Sequence, residues 1–362
     1  MKFGVIGCSV GINHIESYIR KGHEVSAICD ISKERAFDTA KKYNIEKVLF
    51  EEDSYKEMLD LDLDGISICT PPYIRKNILI DCIKSGKNIL VEKPLASKLE
   101  DAKEIVDVAS KYDKTYAMCY NWRNTFVMLL LKGFVKNPLY NIKSLNVYHE
   151  FGFDYSKNAS WREDPDMGGG HIIELDIHVI NYIRYILGDV SAVHASGNKN
   201  PINPKIYQNI DVSLEHQNEK TTKCILRHGT GIPLHQYFNF DLKAEFDRGT
   251  YWAYSNWEPK NLGIDYPIFQ IFFGDKEIMS YEFTEYPRDK GLLVFPQFSH
   301  LRYNLQNIWD NLSWDKIITD FTDCIKSKRK PESTLIDGYE DLKVAFAIRK
   351  SLEEGRKIKI DT

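Results

Sequence analysis

The first thirty residues decide the fold class. Residues 1–30 read MKFGVIGCSVGINHIESYIRKGHEVSAICD and place a glycine-containing turn between a short apolar run and an amphipathic stretch. A second apolar run, at 24–30, follows the amphipathic stretch and ends on an acidic residue. The order of strand, glycine turn, helix and strand predicts a βαβ unit whose first turn can approach a phosphate group.

The same alternation continues to about residue 121. Three more apolar runs, GISICT, NILVEK and TYAMCY, begin at 65, 88 and 115, with charge-rich amphipathic stretches between them. Apolar strands joined by helix-length connections are typical of a parallel sheet that is covered on both faces. Residues 1–121 are therefore predicted to form a Rossmann-type, doubly wound α/β domain that binds a dinucleotide.

The pattern changes after Tyr120. Longer runs that begin at 141, 192, 210 and 222 favour an antiparallel or mixed sheet, and one helix is expected at 170–187. Helical spacing returns at 313–353, whereas 230–310 supports no assignment of individual elements. Residues 122–362 are therefore predicted to form an α+β domain with an open, mostly antiparallel sheet, for substrate binding and oligomerisation.

Composition excludes several classes of protein. The chain has 362 residues, and 48 Lys and Arg against 52 Asp and Glu leave a net charge of −4. This balance lacks the basic footprint of a nucleic-acid binder. No apolar run approaches the ~20 residues that span a bilayer. Seven scattered cysteines without a CxxC pair indicate reduced thiols and a cytoplasmic protein.

Small residues in the first turn are candidates for cofactor contact. Gly7 and Gly11 allow backbone N–H groups to approach a pyrophosphate, although Ser9 stands where the middle glycine of GxGxxG is expected. We expect Gly7, Ser9, Val10 and Gly11 to line this site. An ordinary glycine-rich turn is an equal alternative on the motif alone.

Asp30 favours the dinucleotide interpretation. It ends the second strand, where a carboxylate accepts hydrogen bonds from the adenosine ribose. The carboxylate also repels a 2′-phosphate, so NAD is the expected cofactor. Lys33 and Arg35 lie nearby and keep NADP as the alternative.

Two further strand ends face the same edge of the predicted sheet. Thr70 and Pro71 follow the third apolar run, and Glu92 and Lys93 follow the fourth. Ligands of open parallel sheets lie beyond the carboxyl ends of the strands, so these four residues are candidates for cofactor contact. Lys93 could donate a hydrogen bond to a substrate oxygen, the alternative being a surface lysine before a loop proline.

The predicted helix at 170–187 carries a polar face. Glu174, His178 and Asn181 are spaced four and then three residues apart and share that face, whereas Asp176 should point elsewhere. The remaining positions are apolar, so these polar groups are expected to be buried for a reason. His171, Glu174 and His178 could instead ligate a divalent ion; without a further ligand cluster, no metal is predicted.

These motifs together resemble the Gfo/Idh/MocA family, NAD(P)-dependent oxidoreductases that act mostly on sugars, sugar derivatives and cyclitols. The resemblance rests on the glycine turn, the Asp30 strand end, TPP, EKP, YNWR, WRxDP, the GGG helix and the closing DGYEDLKVAFAI. It implies that Lys93 is the catalytic lysine, that His178 transfers a proton and that Glu174 is its acidic partner. Most members have Asp where this chain has Glu174 and Asn181, and His where it has Arg75.

The resemblance implies an enzyme that interconverts a secondary alcohol and a ketone on a sugar, a sugar derivative or a sugar nucleotide. Asn121 is then a cofactor contact, and Tyr120, Arg162 and Asn181 are weaker candidates for substrate contact. A lyase or glycosidase with transient oxidation, or a non-catalytic NAD-binding sensor, are the alternatives. The open sheet predicts a homodimer or homotetramer.

Overall fold

A computed structural model describes nine stretches of the chain. They are residues 1–153, 160–165, 167–201, 204–230, 237–256, 268–285, 290–294, 302–304 and 308–361. Backbone contacts divide the chain into two compact units. The first unit comprises Met1–Asn124, residues 167–169 and Asn311–Lys343. The second comprises the described residues of Thr125–Pro165, Gly170–Asp310 and Val344–Thr362.

The first unit contains a six-stranded parallel sheet in the order β3-β2-β1-β4-β5-β6. Its strands are β1 (Lys2–Ile6), β2 (Glu24–Cys29), β3 (Lys47–Leu49), β4 (Gly65–Ile68), β5 (Asn88–Glu92) and β6 (Tyr116–Cys119). The helices between them are α1 (Gly11–Arg20), α2 (Lys33–Tyr43), α3 (Tyr55–Leu59), α4 (Pro72–Lys84) and α5 (Leu99–Ala109). The predicted doubly wound α/β fold is confirmed. Only three-residue β3 was missed, because so short a run has no visible periodicity.

Local signals set most of the helix ends in this unit. The Ser32 side chain accepts the Arg35 N–H at 3.3 Å and caps α2, as its position predicts. Gly22 and Gly86 adopt positive φ, +75° and +74°, after α1 and α4, and end those helices. The spacing of Ser97 and Glu100 predicts that Ser97 caps the start of α5, but the N-cap is Lys98, which makes no side-chain capping bond.

Part of the helical C-terminal region packs into the first unit. Helix α10 (Ile308–Ser327) places Phe321 in its core, 6.0 Å from the ring of Phe3. Asp315 on the same helix accepts hydrogen bonds from Ser17 at 2.6 Å and Arg20 at 2.7 Å. The sequence-based division assigned Asn311–Lys343 to the second domain, whereas contacts place it with the dinucleotide-type sheet.

The second unit contains an eleven-stranded sheet among its described residues. The order is β16-β15-β14-β13-β12-β11-β7-β10-β9-β8-β17, with only the β7–β10 pair parallel. This confirms the mostly antiparallel sheet. The strands are β7 (Ile142–Phe153), β8 (Val190–Lys199), β9 (Tyr207–His216), β10 (Thr221–Thr230), β11 (Tyr237–Phe246), β12 (Gly249–Asn256), β13 (Ile268–Phe273), β14 (Lys276–Glu285), β15 (Lys290–Val294), β16 (Arg302–Asn304) and β17 (Ile358–Lys359).

Helices accompany this sheet. They are α6 (Phe126–Lys136), α7 (Ser160–Glu163), α8 (Gly170–Glu174) and α9 (Ile177–Leu187), followed by α11 (Leu335–Glu354), whose residues from Val344 onward belong to this unit. Helix α6 was not predicted; its FVMLLLKGFVK sequence is mostly apolar, with Lys132 and Lys136 as its charged residues.

The single helix expected at 170–187 is wrong: the structure has α8 and α9 with a break at Leu175 and Asp176. The N–H groups of both residues donate to one carbonyl, that of His171, at 2.8 and 3.0 Å. The regular i to i−4 ladder therefore cannot continue through the break. Glu174 and Asp176 have different partners across this break, since Arg162 bonds the first and His228 the second.

All seven cysteines are buried and none forms a disulfide. Burial, together with the charge of Asp30, raises the pKa of Cys8 to about 12, so its thiol is protonated near neutrality. No helix in the described part of the chain is long and apolar enough to cross a bilayer.

Candidate functional site

The glycine turn after β1 has the close packing that a dinucleotide turn requires. Gly7 adopts φ +92°, and a Cβ there would lie 2.8 Å from the carbonyl oxygen of Cys69. A Cβ on Gly11 would lie 2.8 Å from Cγ1 of Val5. Only glycine fits at these two positions, so the turn brings α1 against the strands as the motif predicts.

The start of α1 lacks a side-chain cap. Val10 occupies the N-cap position, and no side chain there accepts the first N–H groups of the helix. Ser9, just before it, is exposed. Uncapped N–H groups at a helix N-terminus suit an anion such as a pyrophosphate.

Asp30 lies at the carboxyl end of β2 and is 5% exposed. Its carboxylate accepts the N–H of Cys8 at 2.7 Å and that of Ser32 at 2.8 Å. The Arg35 guanidinium approaches at 3.3 Å, with its side chain 47% exposed. Arg35 Nη1 also lies 3.4 Å from the second carboxylate oxygen, so these contacts occupy the roughly four acceptor positions of a carboxylate, and a ribose hydroxyl would replace the exposed Arg35 side chain.

Thr70, at the end of β4, offers a buried polar group. Its hydroxyl has no hydrogen-bond partner among the described residues, and the residue is only 7% exposed. Buried hydroxyls are normally paired. The Thr70 amide lies 3.1 Å from where a Cβ of Gly7 would stand, so this hydroxyl belongs to the same edge of the sheet as the glycine turn. Pro71 follows and is the N-cap residue of α4.

Glu92, at the end of β5, is held in a buried network that sequence analysis did not predict. His14 Nε2 lies 3.2 Å from its carboxylate, and His14 Nδ1 lies 3.1 Å from the Ser67 hydroxyl, which also contacts the Tyr18 hydroxyl at 2.9 Å. Burial alone would raise the pKa of Glu92. The hydrogen bond from His14 and nearby positive charges outweigh burial and lower that pKa.

Lys93 follows directly and is half-buried. Its backbone N–H donates to the Glu92 carboxylate at 3.1 Å. Arg75, on α4, donates to the carbonyls of Glu92 and Pro94 on either side of it. The sequence placed Lys93 at the correct strand end but gave no sign of these supports, because they come from other elements.

Tyr120 and Asn121 follow β6. Tyr120 is 1% exposed, whereas Asn121 is partly exposed and begins a 3₁₀ helix at Asn121–Asn124. Both lie in the first unit with the glycine turn, Asp30, Thr70 and Lys93.

In the second unit, the predicted residues lie on α7, α8 and α9. Arg162 donates from Nε to the Glu174 carboxylate at 3.0 Å, and its guanidinium lies 4.8 Å from the Trp161 ring centroid. Glu174 is 5% exposed. The sequence assigned separate roles to Arg162 and Glu174, whereas the structure pairs their side chains. His178 and Asn181 on α9 are 7% and 2% exposed.

Asp176 belongs to a second buried cluster. His228 Nε2 on β10 lies 3.1 Å from its carboxylate, and His149 Nδ1 on β7 lies 4.0 Å away. The His171 ring centroid is 4.7 Å from that of His228. The spacing of Asp176 had indicated only that it points away from Glu174; its partners lie too far along the chain to be read from sequence.

The ligand atoms of His14, Glu92 and Cys119 lie within 4.8 Å of one another. His171, Glu174 and His178 form no such group among the described residues. Since His14 and Glu92 bond each other and burial raises the pKa of the Cys119 thiol well above its usual value, we interpret the first group as a hydrogen-bonded cluster.

Comparison with known families identifies both parts of the chain. Residues 1–120 match a family model described as the oxidoreductase family with an NAD-binding Rossmann fold. Residues 141–250 match the Gfo/Idh/MocA C-terminal domain. The chain therefore belongs to the Gfo/Idh/MocA family, as its motifs predicted.

Several curated relatives are enzymes of sugars and cyclitols. The chain is 27% identical over 172 residues to levoglucosan dehydrogenase of Pseudarthrobacter phenanthrenivorans, covering 46% of this chain and 44% of that one. It is 28% identical to 1,5-anhydro-D-fructose reductase of Ensifer adhaerens, covering 54% and 61%. The chain thus spans about half the length of these two relatives. It is 23% identical to myo-inositol 2-dehydrogenase of Thermotoga maritima, covering 100% and 99%.

Solved structures share the fold over the whole chain. Levoglucosan dehydrogenase in complex with NADH and L-sorbose has a TM-score of 0.77 at 20% identity, covering 100% of this chain and 99% of that one. The WlbA dehydrogenase from Bordetella pertussis, in complex with NADH and UDP-GlcNAcA, has a TM-score of 0.76 at 18% identity, covering 100% and 98%.

Proposed function

We propose that this protein is an NAD-dependent oxidoreductase that interconverts a secondary alcohol and a ketone on a sugar, a sugar derivative or a sugar nucleotide. The observation that carries the proposal is the carboxyl edge of the parallel sheet. There the uncapped start of α1, the Asp30 carboxylate and the unpartnered Thr70 hydroxyl follow neighbouring strands.

These groups fit a dinucleotide in chemical terms. The N–H groups at the start of α1 suit its pyrophosphate, Asp30 can accept a ribose hydroxyl in place of the exposed Arg35 side chain, and Thr70 can complete its hydrogen bonding with the ligand. Strands β1 and β4 are neighbours where the strand order reverses, which is where open α/β sheets bind nucleotides.

When bound, the nicotinamide ring accepts or supplies the hydride. In the oxidation direction His178 takes the hydroxyl proton, a role suited to an imidazole because its ordinary pKa is near neutrality. Lys93 stabilises the negative charge that develops on the same oxygen. Glu174, whose charge is balanced by Arg162 at 3.0 Å, orients the substrate hydroxyls, with Asn181 and Tyr120 as further contacts.

The substrate class rests on the relatives. Those matched above are named for levoglucosan, anhydrofructose and inositol, and one structural neighbour holds a sugar nucleotide. A ring-shaped polyol is common to all of them. This chain has Glu174 and Asn181 where most of the family has Asp, so its preferred hydroxyl pattern is expected to differ from theirs.

The test is a variant, Lys93→Met, which keeps a side chain of similar length without its charge. Oxidation of a panel of sugars, cyclitols and sugar nucleotides is followed by nicotinamide absorbance, and NADH affinity by fluorescence. We expect turnover to fall by about 10²-fold or more, while NADH affinity changes little, because the lost interaction forms mainly in the transition state.

Wild-type turnover by Lys93→Met would contradict the assignment. Product formation without a net change in nicotinamide absorbance would instead indicate the lyase or glycosidase alternative. NADH binding by the wild-type protein with no Lys93-dependent reaction on any substrate would indicate the sensor.

We further propose self-association through the open face of the larger sheet. Along β9 buried and exposed residues alternate, and Ile225 on β10 and Trp252 on β12 are 38% and 39% exposed. An antiparallel sheet with one face left open has room for a second sheet. Light scattering after gel filtration should give a dimer or tetramer mass, and Trp252→Glu should shift it toward the monomer.

The buried, disulfide-free cysteines support a reducing compartment, and we propose the cytoplasm. A fluorescent fusion found outside it would contradict this location.

A further inference from the structure

Two buried side chains, those of Arg75 and Glu92, bond the backbone of the turn that carries Lys93. They contact three successive residues, Glu92, Lys93 and Pro94. The carbonyl of Glu92 accepts a hydrogen bond from Arg75 Nη1 at 2.5 Å, and the carbonyl of Pro94 accepts from the same nitrogen. Between them, the Lys93 N–H donates to the Glu92 carboxylate at 3.1 Å. The backbone on both sides of the lysine is therefore fixed from outside its own strand.

Arg75 also reaches the neighbouring loop. Its Nε donates to the Thr70 carbonyl at 3.1 Å, and its Nη2 donates to the same oxygen. One guanidinium thus joins the end of β4, where the unpartnered Thr70 hydroxyl lies, to the turn after β5. No other residue type supplies a planar fork of five donors that can do this.

Burying the Arg75 guanidinium costs free energy, which indicates that this residue has a structural or functional role. The residue is 2% exposed, and the partners named above are backbone carbonyls rather than a carboxylate. A buried cation is tolerated only when its donors are well paired. The negative charge of Glu92, which is 6% exposed, further balances it.

The Glu92 carboxylate holds the other side of the turn and is itself fixed. His14 lies 3.2 Å from one of its oxygens, and Ser67 and Tyr18 extend the network behind His14. Because the carboxylate cannot rotate freely, the Lys93 N–H has one acceptor in one place.

We infer that Arg75 is a positioning residue for Lys93: its guanidinium sets the Lys93 turn in register with the Thr70 loop that binds the dinucleotide. This inference rests on the proposed catalytic role of Lys93. Arg75 touches neither substrate nor cofactor in this scheme, and it acts through the backbone of the lysine turn.

The test replaces Arg75 by Lys, which keeps the charge but loses the fork. A single ammonium cannot serve three carbonyls in fixed directions, so the turn should shift. Displacements of about 1 Å can cost up to 10²-fold in rate, and we expect kcat to fall by about 10–100-fold. NADH affinity, measured by fluorescence, should change by less than about 3-fold, because the start of α1 and Asp30 stay intact and Arg75 bonds the Thr70 carbonyl, not the hydroxyl that meets the dinucleotide.

The matched control is Arg20→Lys. Arg20 is also a multiply bonded arginine of the first unit, paired with Asp315 at 2.7 Å, but it lies at the far end of α1 from the carboxyl edge of the sheet. Its kcat should stay within about 2-fold of the wild-type value, as for other exposed ion pairs.

A double-mutant cycle separates positioning from a general loss of structure. In the Lys93→Met background, Arg75→Lys should cause no further fall in residual turnover, since the group that it positions is gone. If Arg75→Lys lowers residual turnover there by the same factor as in the wild-type background, the inference is overturned.

The remaining outcomes are also distinct. Wild-type kcat in Arg75→Lys overturns the inference alone, whereas wild-type kcat in Lys93→Met overturns the proposed function and the inference together. Should Arg75→Lys fail to fold, as judged by circular dichroism, Arg75→Gln takes its place in the same cycle, because it keeps a planar donor without a buried charge.

Discussion

His228 and Asp176 form a buried hydrogen bond of 3.1 Å that joins strand β10 to the break between α8 and α9. Asp176 is fully buried and His228 is 2% exposed. The break lies between Glu174 and His178, so this bond ties the segment carrying both proposed site residues to the sheet.

Asp176→Ala should therefore destabilise the protein. It leaves the buried His228 nitrogen without its partner, which costs about 1–3 kcal/mol of unfolding free energy. Urea unfolding followed by circular dichroism measures the loss. Asp211→Ala is the control, because Asp211 forms an exposed ion pair with Arg227 on the neighbouring strands. That change should cost under about 1 kcal/mol, and equal losses from the two variants would contradict the prediction.

The buried histidines predict acid-sensitive stability. Burial, together with the charge of His228, lowers the pKa values of His149 and His171 well below 6.5. Below pH ~6.5 these histidines bind protons in the unfolded chain but stay neutral in the native state. The free energy of unfolding is therefore unaffected by them above that pH and falls as the pH drops below it. Each histidine contributes a slope of about 1.4 kcal/mol per pH unit.

Urea unfolding between pH 5 and 8 tests this slope. His149→Gln should flatten it, whereas exposed His194→Gln should leave it unchanged. A free energy of unfolding that stays constant from pH 5 to 8 would argue against buried neutral histidines.

The glycine turn predicts a strong positional effect. Gly7→Ala combines φ +92° with a Cβ 2.8 Å from the Cys69 carbonyl oxygen, so it should cost about 1–3 kcal/mol and weaken NADH binding. Gly133→Ala, in α6 with open space around it, should be neutral or stabilise by up to about 1 kcal/mol. Thermal melting and NADH fluorescence compare the two, and similar results from both would remove the special role of Gly7.

Cofactor preference should depend on Asp30. Asp30→Ser removes the carboxylate that repels a 2′-phosphate and releases Arg35, 3.3 Å away, to bind one. We expect the ratio of kcat/KM for NADP to that for NAD to rise by about 10-fold or more, equivalent to ~1.4 kcal/mol. Adding Arg35→Ala should reverse most of that gain. An unchanged ratio in Asp30→Ser would show that other groups select the cofactor.

The amino-acid sequence by itself determined the fold class, the family, the glycine turn and the strand ends that carry Asp30, Thr70 and Lys93. These features could be predicted because strand spacing, capping residues and glycine positions act within a few residues of one another. The sequence placed the N-cap of α5 one residue too early, and it did not show α6, which is mostly apolar.

Only the tertiary structure decided which side chains support the site. His14 meets Ser67 and Glu92 across 53 and 78 residues, and Asp176 meets His228 across 52. Arg75 reaches the carbonyls beside Lys93 across 17 and 19 residues. The order of strands in a sheet and the need to pair every buried polar group determine such partners. The local spacing of residues in the sequence indicates neither.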